Sequence, residues 1–241
     1  SSQFSPPVDY MAGEFRQKLE EKVEARSLPA EGPHSFYLAP GEGGLLFHEL
    51  VGHMLELDNL LEKKSLLKKE DLGNKVFSEE LTVYAVSEVP DDDGTAPSRM
   101  KVVEKGKVKK FFSSRLTSLL TGYPVTCSSR RQRYFFSPVV FSGDLYVEGG
   151  KHDPLELLAD MDEGIYVLEF KDGKVNVSTG WAYFRVQRAF WIEKGKPKFP
   201  LKPFLMAISF DQFNESLELE SDPRKDKGGL FCHKAEQVFN Y

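Results

Sequence analysis

The strongest constraint on this chain is an apolar stretch, residues 43–58, that carries two histidines and an acid between them. His48, Glu49 and His53 form the pattern His-Glu-x-x-x-His. A buried imidazole or carboxylate needs a polar partner, so three such groups in one apolar segment favour a shared function. Neutral imidazoles that hold Zn²⁺, with a carboxylate beside the metal-bound water, would satisfy all three. We therefore predict a metal site here, although a single buried histidine is more often a hydrogen-bonded core residue.

The spacing of the two histidines predicts an irregular helix. It is one residue longer than the zincin pattern His-Glu-x-x-His, in which residues i and i+4 share a helix face. At 3.6 residues per turn, His48 and His53 would lie roughly 140° apart on a regular α-helix, too far to bind one ion. A single-turn π-bulge absorbs one extra residue and is frequent at functional sites. We expect a distorted helix with its weakest point at Gly52 and with Glu49 beside the metal.

A catalytic zinc site needs a third protein ligand and leaves its fourth position to water. Apart from carboxylates, the chain offers five candidates: Cys127, Cys232, His34, His152 and His233. A pair of glycines lies shortly before Cys232 and Lys234 follows it, a cationic neighbour that favours the thiolate. Spacing alone does not choose among the candidates.

Several blocks of the sequence resemble the TldD/PmbA family of metalloproteases, in the family's own order. Residues 46–58 resemble its metal-binding segment, and the matching blocks downstream are residues 92–95, 129–134, 164–166 with 175–180, and 232–237. The family has its third zinc ligand, a cysteine, in the last block, so the resemblance implies a zinc site formed by His48, His53 and Cys232. It also implies that Glu49 is the general base of a peptidase. The resemblance covers residues 35–241.

The metal-binding positions separate two branches of this family. The TldD type is catalytic and the PmbA type lacks the metal ligands, so this chain resembles the TldD type. Ser129 and His233 stand where the family has glycines, which changes the shape expected of the substrate channel. Family enzymes work as dimers, commonly a TldD-like chain with a PmbA-like one. The resemblance therefore implies a dimer, with a metal-free relative as the partner.

Composition excludes several other classes of protein. The chain has 241 residues, of which 40% are hydrophobic and 12% aromatic, enough to build a sizeable core. Its net charge of −5 supplies no basic field for phosphates, so we expect no nucleic-acid partner. Two distant cysteines indicate a reducing compartment and no disulfide scaffold. No apolar run approaches twenty residues and the start is not signal-like, so we expect a cytoplasmic protein that does not enter a membrane.

A tight cationic cluster follows the middle of the chain. Arg130, Arg131 and Arg133 are interleaved with aromatic residues, beginning at Tyr134. We interpret the arginines either as ion-pair partners that shape a loop or as donors to a peptide carbonyl or carboxylate. Arg130, Arg131 and Tyr134, together with His233 next to Cys232, are our candidate substrate-binding residues.

Residues 1–34 are predicted to form a polar arm and an amphipathic helix that precede the main domain, residues 35–241. The helix runs from Asp9 to about Ala25, and its apolar side chains recur every four residues. They are Met11, Phe15, Leu19 and Val23. We expect this apolar stripe to pack on the rest of the chain, the alternative being a contact between subunits.

The remaining pattern indicates an α+β fold that is dominated by antiparallel sheet. Short strands are predicted at residues 35–39 and 81–86. Three Xaa-Gly pairs predict hairpin turns: Lys105-Gly106, Asp172-Gly173 and Lys194-Gly195. Two helices interrupt the strands, one over residues 113–120 closed by Gly122, the other over residues 154–163 closed by Gly164.

Two functions from different classes fit these features. The first is a zinc-dependent peptidase acting on unfolded or extended peptide segments, with Glu49 as general base. The alternative is a non-catalytic peptide-binding subunit with a structural zinc site. Such sites are closed by four protein ligands, so His233 or Glu56 would have to complete the shell.

Overall fold

A computed structural model describes residues 8–221, 231–234 and 237–240, with side chains for residues 12–221 and Lys234. The α-helices are α1 (Val8–Glu24), α2 (Gly43–Phe47), α3 (Leu57–Leu61), α4 (Arg115–Thr121), α5 (Pro154–Ala159) and α6 (Phe210–Ser216). A π-helical turn (His48–Gly52) and a 3₁₀ turn (His53–Leu55) join α2 to α3, and a second 3₁₀ turn covers Lys69–Asp71. The strands are β1 (Phe36–Leu38), β2 (Val83–Ser87), β3 (Ser98–Glu104), β4 (Lys107–Val108), β5 (Ser129–Arg130), β6 (Val139–Val140), β7 (Asp144–Val147), β8 (Glu163–Asn176), β9 (Trp181–Glu193), β10 (Lys196–Leu201), β11 (Phe204–Ser209), β12 (Phe231–Lys234) and β13 (Gln237–Asn240).

Two sheets make up most of the fold. The larger has the strand order β1-β8-β9-β10, and β11 also pairs with β9. β1 runs parallel to β8, whereas β8, β9, β10 and β11 are joined by antiparallel pairings. The smaller sheet is antiparallel and has the order β4-β3-β2-β7. The predicted α+β class, dominated by antiparallel sheet, is confirmed.

The histidine segment lies in the hydrophobic core and contacts both sheets. Leu50, Val51, Met54 and Leu55 have no exposed surface. The backbone of Val175 in β8 makes a hydrogen bond to the Glu49 carboxylate. On the other side, the α-carbon of Gly52 faces Ser142 and the Leu145 side chain of β7. The segment is therefore held in place by both sheets.

Two of the three predicted hairpin turns are confirmed. Lys105-Gly106 joins β3 to β4 and Lys194-Gly195 joins β9 to β10, and all four residues have positive φ. The predicted turn at Asp172-Gly173 is wrong. Strand β8 continues through both residues to Asn176. A Cβ at Gly173 would lie 2.5 Å from the Phe184 ring. The glycine therefore leaves space for the Phe184 side chain, and the chain does not turn there.

Both predicted helices exist, but one ends earlier than expected. α4 begins after the Ser114 cap and is closed by Gly122 in the left-handed conformation. α5 begins after the Asp153 cap with Pro154 in its first turn, yet it ends at Ala159, and Gly164 belongs to β8. A Cβ at Gly164 would meet the Met161 sulfur at 2.4 Å, so this glycine also serves close packing.

α1 confirms the predicted N-terminal helix, but the expected packing of its apolar stripe is wrong. Phe15, Leu19 and Val23 are 64%, 48% and 86% exposed, and the side chain of Met11, the fourth residue of the stripe, lies outside the described residues. The helix is attached through a charged residue instead, since Arg188 Nη2 of β9 lies 3.0 Å from the Glu21 carboxylate. The spacing of apolar residues in the sequence identifies an apolar helix face, but it does not identify the surface that packs against that face. In the part of the chain that the structure describes, no helix is long and apolar enough to cross a membrane.

Candidate metal centre

A single π-helical turn brings the two histidines together, as the spacing predicts. The backbone N–H of His53 donates to the carbonyl of His48, five residues earlier, so the extra residue is absorbed within one turn. The two imidazole rings consequently meet edge to face with their centroids 4.6 Å apart. The distorted helix at this position is confirmed.

The side chains of His48, Glu49 and His53 form a buried cluster of possible metal ligands. One nitrogen of each imidazole and one oxygen of the carboxylate all lie within 4.8 Å of one another. The three residues are 2%, 4% and 8% exposed. Two imidazole nitrogens and a carboxylate oxygen are donor types that Zn²⁺ accepts, so the residues present fit such an ion. The Cys232 and His233 side chains lie outside the described part of the structure.

Burial sets the protonation of this cluster. It lowers the pKa of His48 well below the usual histidine range, and the neighbouring His53 lowers it further. Burial also raises the pKa of Glu49, although His53 and the backbone of Val175 act in the opposite direction. His48 is therefore a neutral imidazole, which is the form that binds metals.

Gly52 is required for space and not for backbone freedom. Its φ and ψ of −55° and −65° lie in the right-handed region that any residue adopts. A Cβ at this position would stand 2.5 Å from Ser142 Oγ. That hydroxyl lies 3.4 Å from His48 Nδ1, so the glycine lets a hydrogen-bonding group reach the first histidine. The predicted weak point of the helix is thus a point of close contact.

Glu56 orients the second histidine. Its carboxylate is completely buried and accepts hydrogen bonds from His53 Nδ1 at 3.0 Å and from the backbone N–H of Ser142 at 3.1 Å. Burial would raise the pKa of Glu56, but Lys234 and His53 lower it to about 2. Because Glu56 is ionised and only accepts, His53 Nδ1 is the protonated nitrogen. His53 Nε2 is then left on the side of Glu49, 3.9 Å from its carboxylate.

Lys234 connects the far end of the chain to the same carboxylate. Its ammonium lies 2.6 Å from Glu56 Oε2, 2.9 Å from Asp58 Oδ2 and 2.6 Å from the carbonyl of Val140. This contact brings β12 against the histidine helix. The sequence indicates Lys234 only as a cation that would favour the Cys232 thiolate, and sequence reasoning misses its pairing with Glu56. The signal for it was two acids, Glu56 and Asp58, in an apolar segment that needed a cation.

The arginine cluster shapes a loop. Arg130 Nη2 donates to Ser87 Oγ at 3.1 Å. The backbone N–H of Arg131 donates to the Asp92 carboxylate at 2.8 Å, and its Nε lies 3.6 Å from the same group. Tyr134 is 86% exposed. The first of our two interpretations, ion pairing within a loop, therefore holds for Arg131, and a role in substrate binding stays a prediction.

A wide cleft of about 2380 Å³ opens next to the cluster. Its wall includes His48, the strand β1 and the strand β7. β1 and β7 are the terminal strands of the two sheets. The cleft therefore lies at the edges of both sheets and reaches the first histidine of the cluster.

Comparison with known proteins identifies the family. Residues 31–233 match the model described as the PmbA/TldA metallopeptidase C-terminal domain. The chain belongs to the TldD/PmbA family. It is 28% identical over 215 residues to the metalloprotease TldD homolog of Buchnera aphidicola (strain APS), covering 86% of this chain and 44% of that one. It is 29% identical over 224 residues to the zinc metalloprotease TldD homolog of Saccharolobus solfataricus, covering 88% and 49%.

Solved structures of two other proteins share the fold. A putative modulator of DNA gyrase from Bacteroides thetaiotaomicron superimposes with a TM-score of 0.70 at 22% identity, covering 89% of this chain and 48% of that one. TldE from Thermococcus kodakarensis gives a TM-score of 0.68 at 17% identity, covering 95% and 53%. The chain spans about half the length of the relatives that it matches.

Proposed function

We propose that this chain carries the metal centre of a zinc-dependent peptidase that hydrolyses extended peptide segments. The observation that supports this most directly is the π-helical turn, which brings donor atoms of His48, Glu49 and His53 within 4.8 Å of one another in a buried site. Relatives named metalloproteases, one of them a zinc metalloprotease, agree with it. His48 and His53 are the proposed metal ligands.

Cys232 is the proposed third ligand. It lies in β12, two residues before Lys234. Lys234 contacts Glu56, the residue that orients His53, so β12 reaches the histidine helix. The family resemblance supports the same assignment.

Each residue of the cluster has a separate proposed role. Zinc, when bound, would polarise the scissile carbonyl and lower the pKa of its water. Glu49 accepts the proton of the attacking water and delivers it to the leaving amine. The raised pKa that burial gives Glu49 suits a carboxylate that must hold a proton between these two steps. Glu56 keeps the proton on His53 Nδ1, so that Nε2 has its lone pair available.

The cleft is the proposed path of the substrate. An extended peptide can add to the unpaired edge of a sheet through main-chain hydrogen bonds, which depend little on sequence. β1 and β7 both present such an edge to the cleft that reaches His48. The candidate substrate-binding residues Arg130, Arg131, Tyr134 and His233 remain part of this proposal.

The proposal includes a second chain and a cellular location. We propose that the protein works in the cytoplasm as a dimer, with a PmbA-like, metal-free subunit that covers the cleft. The resemblance to the TldD type supports such a partner, and one structural relative is named TldE. A wide cleft beside a peptidase centre would otherwise be open to other proteins.

Replacement of Glu49 tests the catalytic assignment. Glu49→Gln should bind as much zinc as the wild type, because the histidines remain, and should lose most cleavage of an unfolded peptide. Zinc content by emission spectroscopy and peptide cleavage by mass spectrometry are the two measurements. Undiminished cleavage by Glu49→Gln would remove Glu49 as the base. Tightly bound zinc without any wild-type cleavage would instead support the structural-zinc alternative.

A further inference from the structure

The ionisable lysine, arginine, aspartate and glutamate side chains that line the cleft beside the metal cluster are all of one sign. Among the described residues that line it there are ten carboxylate side chains and neither a lysine nor an arginine. Glu88, Asp144 and Glu148 lie along the β7 side, and Glu31 and Glu163 lie along the β1 side. The two walls of the cleft therefore carry the same charge.

Composition does not explain this asymmetry. The whole chain has 32 lysines and arginines against 37 aspartates and glutamates, so the two signs are nearly balanced. A cleft of this size would be expected to include several cations by chance. The basic residues in the described part of the chain lie on other surfaces, whereas the acids are concentrated where a ligand would lie.

The cleft acids are not neutralised internally by described cations. None of the ten forms an ion pair with a lysine or arginine in the described ranges, and Glu220 accepts a hydrogen bond from the neutral Tyr37 hydroxyl. The cations close to this region have other partners. Lys151 lies 3.1 Å from Glu80, and the Arg99 guanidinium stacks over the Tyr84 and Tyr146 rings.

We propose that the cleft selects cationic peptide segments, rich in lysine or arginine, and disfavours acidic ones. The inference rests on the proposed function for the location of the site, since His48 and the two sheet edges define the cleft. The carboxylates determine only the charge of its occupant. Alternate side chains of an extended peptide point to opposite sides, so a bound strand would present lysines to both acidic walls.

The exposure of these carboxylates sets the expected behaviour. Charges on the rim of a binding site act mainly on the association rate, and salt screens them over a Debye length of about 8 Å at physiological ionic strength. The preference should therefore be strong in dilute salt and weak in concentrated salt. Main-chain hydrogen bonds between the peptide and β1 or β7 would add a part of the binding free energy that does not depend on the charge of the peptide.

Binding to the Glu49→Gln variant tests this without requiring hydrolysis. Two fluorescein-labelled peptides of equal length would be compared by anisotropy, one with lysines and one with glutamates at the same consecutive positions, so that the charges face both sides of an extended strand. We expect the lysine peptide to bind roughly tenfold more tightly at low salt, and the difference to vanish near about 1 M salt. Equal binding of both peptides, tighter binding of the glutamate peptide, or no binding of either would overturn the inference.

A matched pair of triple variants locates the effect. Glu88→Gln, Asp144→Asn and Glu148→Gln together should remove most of the preference. Glu20→Gln, Glu24→Gln and Glu70→Gln change the net charge equally, lie outside the cleft, and should leave the preference intact. A preference that survives in the first triple variant, or is lost equally in both, would contradict a role for the cleft. A charge preference in binding without any wild-type hydrolysis would refute the proposed peptidase and leave the inference standing.

Discussion

Lys234→Met should destabilise the metal-free protein by about 3 kcal/mol at pH 7. The substitution keeps most of the side-chain volume but removes the ammonium that lies 2.6 Å from the completely buried Glu56 carboxylate. In the wild type the pKa of Glu56 is lowered from 4.5 to about 2. Each pKa unit corresponds to about 1.4 kcal/mol, so the ionised carboxylate contributes roughly 3 kcal/mol to folding, and Lys234 is the largest of the causes that lower its pKa, ahead of His53. Loss of one partner of a buried ion pair typically costs about 3 to 5 kcal/mol, which agrees.

The pH dependence of this loss gives the sharper test. A carboxylate with a lowered folded pKa stabilises above its unfolded pKa, here 4.5, and this stability disappears as the pH falls towards 2. The difference between wild type and Lys234→Met in urea denaturation should therefore fall to roughly half by pH 3. Lys64→Met, which breaks the exposed pair with Glu62, is the control and should cost under about 1 kcal/mol. A loss for Lys234→Met no larger than the control's, or one that does not change with pH, would refute the reasoning.

Two further substitutions test the centre itself. Gly52→Ala places a Cβ 2.5 Å from Ser142 Oγ, so we expect the free energy of unfolding to fall by about 1 to 3 kcal/mol and zinc to bind more weakly. Thermal unfolding and zinc titration measure the two effects. Ser142→Gly in the same chain should restore stability, and no rescue would argue against the contact. Cys232→Ser should lose most bound zinc. Cys127→Ser, at a buried cysteine, should retain the metal and lower the free energy of unfolding by only about 1 kcal/mol. Zinc loss from Cys127→Ser in place of Cys232→Ser would contradict the ligand assignment.

Local sequence rules predicted the parts of the structure that depend on local geometry. The π-helical turn follows from the spacing of His48 and His53, because a regular helix would separate the two rings. The turns at Lys105-Gly106 and Lys194-Gly195 follow from the positive φ that a two-residue hairpin requires.

Features that depend on distant partners could not be predicted in this way. The sequence signal at Asp172-Gly173 is the same as in a hairpin, but Phe184 of the neighbouring strand is what requires a glycine there. The pairing of Glu56 with Lys234 joins residues 178 positions apart, and no local pattern states which cation meets a buried acid. The apolar stripe of α1 was visible in the sequence, whereas its exposure depends on what surrounds it in the fold.

The bond between Lys234 and Glu56 also has a consequence for biosynthesis. A ribosome adds residue 234 long after residue 56 has emerged, so the nascent chain has a carboxylate whose cation does not yet exist. Until then, burial of the Glu56 carboxylate is unfavourable because it has no cationic partner. Exposure of the histidine segment to water is therefore favoured. The buried centre is therefore completed late, and a product truncated before β12 lacks the ammonium that makes burial of Glu56 favourable.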